Sequence, residues 1–258
     1  MEAKSILEKI LKDIKELIHY GIKIILVHGG GKQADVLARQ IGHVPVKING
    51  RRVTSQQDLE IAKMLYGGSL NLEILSLMKK LKMKGVRVSG LDGNLLDVKL
   101  RDKTKFDFGY VGDINRVNPR ILKDLLSKGY TPVVSPLAGT AEGIIVNINA
   151  DTIAMNIATA LKVEKLILFS SVDGIYDGKK LLSVITLEDG AKAIEEEIVK
   201  DGMSVKLENC MEAVKGGVKR IHIINGLSPH SLLGEVLTKK GIGTMIISDK
   251  EKNAYIKE

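Results

Sequence analysis

Ile6, Leu7, Ile10, Leu11, Ile14, Leu17 and Ile18 recur at three- and four-residue spacing. That spacing predicts an amphipathic helix over 6–18, and Gly21 follows as its stop. The pattern then changes. Ile22 to Val27 is almost continuously apolar, as expected of a strand buried on both faces. His28-Gly29-Gly30-Gly31 interrupts it, and Lys32 to Ile41 reads as a helix. The alternation returns further along. Val86 to Ser89 reads as a strand, and Leu95 to Leu100 and Tyr110 to Val117 as hairpin strands. Asn118 and Pro119 open a helix, Asn as N-cap and Pro at the first helical position, and Gly129 closes it. Thr131 to Ser135 reads as a buried strand, Ile144 to Ile148 as extended and Asp151 to Leu161 as a helix. Lys165 to Phe169 is strand-like, Lys206 to Val214 helical, and Arg220 to Ile224 and Gly243 to Ile247 are the last strands.

Strands alternating with helices imply an α/β fold with a mostly parallel central sheet sandwiched between helices. No Pro/Ser-rich linker or low-complexity run divides the chain, so 1–258 reads as a single domain with two lobes, about 1–169 and 170–258. The hairpin strands between Pro45 and Val117 would decorate the first lobe. Ligands of such sheets bind beyond the carboxyl ends of the strands. Three loops qualify: the glycines after Val27, the segment after Val134 and the serines after Phe169.

Composition narrows the classes. With no Trp and only three Phe, the core must be aliphatic. The net charge of +8 suits an anionic nucleotide, a nucleic acid or an acidic protein. The lysines are spread along predicted helices and few aromatics accompany them, which argues against nucleic acid. Cys210 is the single cysteine, so no intrachain disulfide can form, and it reads as a core thiol in a reducing compartment. No apolar run reaches the length of a membrane span and the N-terminus has no signal-peptide core, so a cytoplasmic location is expected.

Four segments could carry chemistry. Gly29-Gly30-Gly31-Lys32, at a strand end and a helix start, can turn backbone N–H groups toward an anion. It is neither a Walker A nor a dinucleotide fingerprint. Arg51 and Arg52, after the tight-turn pair Asn49-Gly50, could present a guanidinium fork to a carboxylate, although a surface arginine is the plainer reading. Asn147-Ile148-Asn149-Ala150-Asp151 places two amides and a carboxylate at a strand-to-helix transition, where a cap needs only one. Lys206 lies near the start of a helix, from which it could neutralise charge on a phosphoryl group.

These pieces, in this order, resemble the acetylglutamate kinases of the amino acid kinase family. The matching segments are Val27 to Gly31, Asn49 to Thr54, Gly129 to Val134, Asn147 to Asp151, Val172 to Ile175, Asp201 to Met203 with Lys206, and Gly241 to Thr244. The resemblance spans about Ile10 to Ile247 and implies a three-layer αβα fold, with substrate on the first lobe and nucleotide on the second. It implies ATP, with Mg²⁺ held mainly by the nucleotide phosphates, and a γ-carboxylate of N-acetylglutamate converted to an acyl phosphate. Gly30 and Gly31 would donate N–H groups to the phosphoryl and the substrate carboxylate. Arg52 would hold the α-carboxylate and Asn147 the N-acyl end. Asp151 would organise catalytic lysines, and Lys206 would stabilise the transition state against the nucleotide phosphates. Ser171, Asp173, Gly174, Tyr176, Ile198 and Lys200 would line the nucleotide site. A homodimer is implied as well.

Two features depart from the family. Its members open with a Lys-x-Gly-Gly strand that supplies a second catalytic lysine, and the sequence given begins at the following helix. On that ground the chain as written is expected to bind nucleotide weakly and to be a poor kinase. Ser171 stands where relatives usually carry Asp or Asn. Two rival readings remain. One is the sister kinase acting on aminoadipate or glutamate linked to an acidic carrier protein, suggested by Ser89-Gly90-Leu91-Asp92-Gly93 and the basic charge. The other is a ligand-binding homologue with little turnover.

Overall fold

The structure, a computed structural model, describes residues 2–48, 51–238 and 241–255. The Asn49-Gly50 turn expected from the sequence lies outside the described residues. Contacts divide the chain into two units, one formed by residues 2–20 with 155–255 and the other by residues 21–154.

The chain opens with helix α1 (Glu2–His19), which belongs to the first unit. Leu11, Ile14 and Leu17 are buried on one face, as the apolar spacing predicts, and Gly21 ends the segment at a φ of +83°.

The unit of residues 21–154 follows. Its elements are β1 (Leu26–Val27), α2 (Gly31–Gln40), β2 (Lys47–Ile48), β3 (Arg51–Arg52), α3 (Gln56–Met64), α4 (Leu70–Lys80), β4 (Gly85–Val88), β5 (Leu96–Leu100), β6 (Gly112–Val117), α5 (Arg120–Ser127), β7 (Thr131–Val134), β8 (Leu137–Gly139) and β9 (Ile145–Asn147). A π-helical turn, Leu65–Ser69, joins α3 to α4. β1, β7 and β4 form a parallel sheet in that order. All three strands therefore end on one edge, which delivers the glycine loop, Ser135 and Ser89 side by side. The ladder of β1 covers two residues, against six in the expected strand Ile22 to Val27. β1 lies at the edge of this sheet and Leu26 and Val27 are only half-buried, so burial on both faces is not realised. β5 and β6 pair antiparallel as expected. Helix α5 begins one residue later than predicted, but the Asn118 side chain still accepts the N–H of Arg120 at 3.4 Å.

The remaining elements are α6 (Ala150–Leu161), β10 (Lys165–Ser170), β11 (Tyr176–Asp177), β12 (Lys180–Leu181), β13 (Val184–Thr186), α7 (Leu187–Glu195), α8 (Asp201–Lys215), β14 (Arg220–Asn225), α9 (Ser231–Leu237), β15 (Thr244–Ile247) and α10 (Asp249–Tyr255). The sheet order is β10-β14-β15-β13, with β10 parallel to β14, β15 parallel to β13, and β14 antiparallel to β15. Its core is aliphatic. Leu168, Ile185, Leu207, Ile221, Ile223 and Ile246 pack together, and Cys210 lies fully buried among them. Ser170, Asn225 and Thr244 share one edge of this sheet, because β15 enters where β10 and β14 leave. Among the described residues no helix is long and apolar enough to cross a membrane.

Candidate active site

The unit of residues 21–154 holds the glycine loop, Arg52 and Asn147. The His28 N–H donates to Val134 O at 3.1 Å, which carries the sheet one step beyond β1 into the loop. Gly30 caps α2 without a side-chain partner, and no acidic residue occupies the first turn of α2. The first N–H groups of a helix have no acceptor within it, and they sit at the positive end of its dipole. Within the loop Gly30 is the closely packed residue, whereas Gly29 and Gly31 are exposed. A Cβ built on Gly30 would lie 2.8 Å from the Tyr66 ring and from Leu70, and one on Gly29 would lie 3.4 Å from Ala150. Glycine at position 30 is thus required by close approach. His28 is buried, burial holds its imidazole below the ordinary pKa, and its Nε2 has no hydrogen-bond partner among the described residues.

Arg52 reaches this loop from β3. Its Nη2 donates to Gly31 O at 3.1 Å and to Asp35 Oδ1, and its Nη1 lies 3.5 Å from Asp58 Oδ1. The side chain is only 16% exposed, so the reading of Arg52 as an ordinary surface arginine does not hold. Burial works against the charge on Asp35, but Arg52 and Lys47 outweigh it and hold that carboxyl below its usual pKa. Asp58, nearly sealed from solvent, also accepts from the Ser55 N–H and hydroxyl, and His43 Nε2 lies 3.0 Å from its other face. Ser55 and Asp58 form a capping box at the start of α3, which fixes the carboxylate that orients Arg52.

Asn147 joins the same group. Its Nδ2 donates to Thr54 Oγ1 at 3.2 Å, two residues beyond Arg52, and its backbone N–H donates to Tyr110 O at 2.9 Å. Asn149 Oδ1 accepts the Thr152 N–H at 3.2 Å and so caps α6. The capping role is thus filled by Asn149. Thr54 links Arg52 to Asn147, and it is held by the loop before β6: Thr54 N–H donates to Phe108 O at 3.0 Å and Tyr110 N–H to Thr54 O at 2.8 Å. Gly109 permits this approach with a φ of +65°, and a Cβ there would lie 2.2 Å from Thr54 O. Gly109→Ala should therefore lower the melting temperature by several degrees, since strain and a backbone clash of this kind cost on the order of 1–3 kcal/mol. Thermal melting checks it, and an unchanged midpoint would contradict this packing.

The other unit gathers the second set of predicted residues. Ser171 and Asp173 are exposed beyond the end of β10. Asp173 Oδ1 accepts from Asn225 Nδ2 at 2.9 Å and its Oδ2 from the Tyr176 hydroxyl at 3.1 Å. Gly174 is buried against Thr244, where a Cβ would meet Thr244 Oγ1 at 2.4 Å, and Ile175 N–H donates to that oxygen at 2.8 Å. Thr244 is in turn positioned by a buried pair. Glu235 Oε1 lies 2.6 Å from His222 Nδ1, and its Oε2 accepts the N–H groups of Ile242 and Gly243 at 2.6 and 2.9 Å. Burial would raise the Glu235 pKa, but His222 and the two N–H donors hold it low. Asn225 and Gly226, whose N–H donates to Ser170 O at 2.9 Å, border the same edge and were not anticipated. Only the end of a strand marked them in the sequence.

Helix α8 packs on α7, β14 and β15. Lys206 is its sixth residue and half-buried. Lys200 sits at the N-cap position with its ammonium 3.1 Å from Glu197, and Ile198 is 37% exposed. No hydrogen bond or ion pair among the described residues joins Ile198 or Lys200 to the segment 171–176.

The family model for the amino acid kinase family matches residues 1–225. The chain is 42% identical over 248 residues to the acetylglutamate kinase of Kosmotoga olearia, covering 95% of this chain and 87% of that protein. Among solved structures, smu.665 from Streptococcus mutans is similar with a TM-score of 0.79 at 28% identity, over 93% of this chain and 91% of that one. The N-acetylglutamate synthase from Neisseria gonorrhoeae, solved with coenzyme A and N-acetyl-glutamate, gives 0.86 at 26% identity, over 95% of this chain and 56% of that one.

Proposed function

The chain belongs to the amino acid kinase family, and from that premise we propose that it transfers the γ-phosphoryl group of ATP to the γ-carboxylate of N-acetyl-L-glutamate, a step of arginine biosynthesis. The observation that carries this reading is the gathering of a glycine-bounded helix start, a half-buried guanidinium and an amide within one unit, at Gly30, Gly31, Arg52 and Asn147. A small molecule with two carboxylates and an acylated nitrogen matches those groups. Arg52 takes the α-carboxylate, the N–H groups at Gly30 and Gly31 take the reacting anion, and Asn147 takes the acyl end. The named relatives point to the free amino-acid derivative, and none points to a carrier-linked acid.

ATP is the phosphoryl donor. Its site in this reading is the sheet edge at Ser171, Asp173, Gly174 and Tyr176, with Ile198, Lys200 and Lys206 completing it. A Mg²⁺ would be carried mainly by the nucleotide phosphates, where it would supply charge neutralisation. The protein's own share is positioning and electrostatics, as expected for phosphoryl transfer. In this reading Asp151 serves to orient the catalytic lysine, here Lys206. The enzyme is read as cytoplasmic and as a homodimer, the latter checked by light scattering.

The direct test is ADP release together with hydroxylamine trapping of acyl phosphate, with N-acetylglutamate, glutamate and aminoadipate offered in parallel. Turnover dependent on N-acetylglutamate is expected. ADP release indifferent to it would end this reading.

A further inference from the structure

Tyr66 is the residue of the substrate unit that the site does not yet use. It lies in the π-helical turn between α3 and α4, and π turns commonly mark functional positions. The residue is 5% exposed, and its ring packs among Ala34, Ala38, Ile61, Ala62 and Leu137. The hydroxyl keeps a little solvent access although the ring is buried, and no described residue accepts from or donates to it, so it is open to a ligand.

Its surroundings point to what the hydroxyl is for. The ring closes on Gly30, near enough that a Cβ there would meet Cε1 at 2.8 Å. Burial pushes the phenol pKa up, Arg52 opposes that, and Asp35 and Asp58 add to it. Tyr66 packs on Gly30 and the Arg52 guanidinium donates to Gly31 O, the next residue of the same loop, and the raised pKa keeps the phenol a proton donor at neutral pH. A neutral donor next to an arginine complements a carboxylate: the guanidinium supplies charge, and the phenol supplies one further directed bond.

We propose that Tyr66 is a further substrate-binding residue, whose hydroxyl donates a hydrogen bond to the carboxylate held by Arg52. The proposal rests on the kinase reading above. The π turn is what makes it geometrically available, because the wider turn sets both Tyr66 and Leu70 against Gly30.

Tyr66→Phe removes the hydroxyl and nothing else. The KM for N-acetylglutamate should rise about tenfold, with kcat within about twofold and the KM for ATP unchanged. The melting temperature of the free protein should not fall, since the hydroxyl has no protein partner to lose. Thermal shift with N-acetylglutamate, glutamate or aminoadipate, in the absence of ATP, supplies a second readout. An unchanged KM and ligand shift would overturn the proposal. So would a variant that melts several degrees lower, because the hydroxyl would then belong to the fold. If the parent is stabilised by a different acid and the variant loses that shift, Tyr66 keeps its role and the substrate assignment falls. If no acid shifts the parent, both fail.

Discussion

Lys206→Ala lowers kcat about a hundredfold or more while the KM for N-acetylglutamate changes little. The reaction brings a carboxylate toward a polyphosphate, and the protein performs little covalent work. What it can supply is a cation already in place where negative charge grows. Lys206 suits this because it projects from the second turn of a fifteen-residue helix packed on the sheet, and it is half-buried. Its position is thereby set before the nucleotide arrives. A cation that counts mainly at the transition state lowers kcat and kcat/KM together when it is removed. Lys206→Arg keeps the charge but changes its shape and reach, so it should recover only part of the rate. Steady-state kinetics of the two variants give the answer, and an alanine variant that keeps most of its kcat would remove Lys206 from the chemistry.

Arg52→Ala raises the KM for N-acetylglutamate by about thirty- to a hundredfold, with a much smaller change in kcat. A charge-assisted hydrogen bond contributes roughly 1.5–3 kcal/mol, and a guanidinium holding a carboxylate does so in ground and transition states alike. The structure adds a complication that the kinetics must separate. Arg52 also compensates Asp35 and the 3%-exposed Asp58 and ties down Gly31 O. Its removal leaves Asp58 with Ser55 and His43 alone, so some stability is lost as well. Melting the variant with and without saturating N-acetylglutamate distinguishes the two. A pure stability effect lowers the midpoint and leaves KM where it was, and that result would take Arg52 out of the substrate site.

Much of this was legible in the chain. The spacing of Ile6 to Ile18 gave α1, and the glycines after Val27 marked the turn into α2, because these depend on local pattern alone. Asn147 and Asp151 could be singled out because a cap needs one residue and the segment offers three, and the structure gives the cap to Asn149. What could not be read was tertiary. The length of β1 depends on how many residues of β7 lie opposite it, and only two do. The partners of Arg52 lie 17 and 6 residues away on helices α2 and α3, with no sequence signal linking them to the strand. Tyr66 was invisible because a π turn breaks the helical period on which pattern reading relies. Asn225 and Gly226 come to Ser170 and Asp173 through a strand pairing that spans more than fifty residues.

The tyrosines give the protein a way of announcing its own occupancy. There is no tryptophan to dominate its emission, and the six tyrosines include one in each proposed site. Tyr66 is enclosed against Gly30, whereas Tyr176 is 36% exposed and hydrogen-bonded to Asp173. A water-soluble collisional quencher reaches the second and not the first. N-acetylglutamate should thus alter the unquenchable part of the ultraviolet fluorescence and ATP the quenchable part. The order in which the two substrates load could then be followed in unlabelled protein, without any turnover taking place.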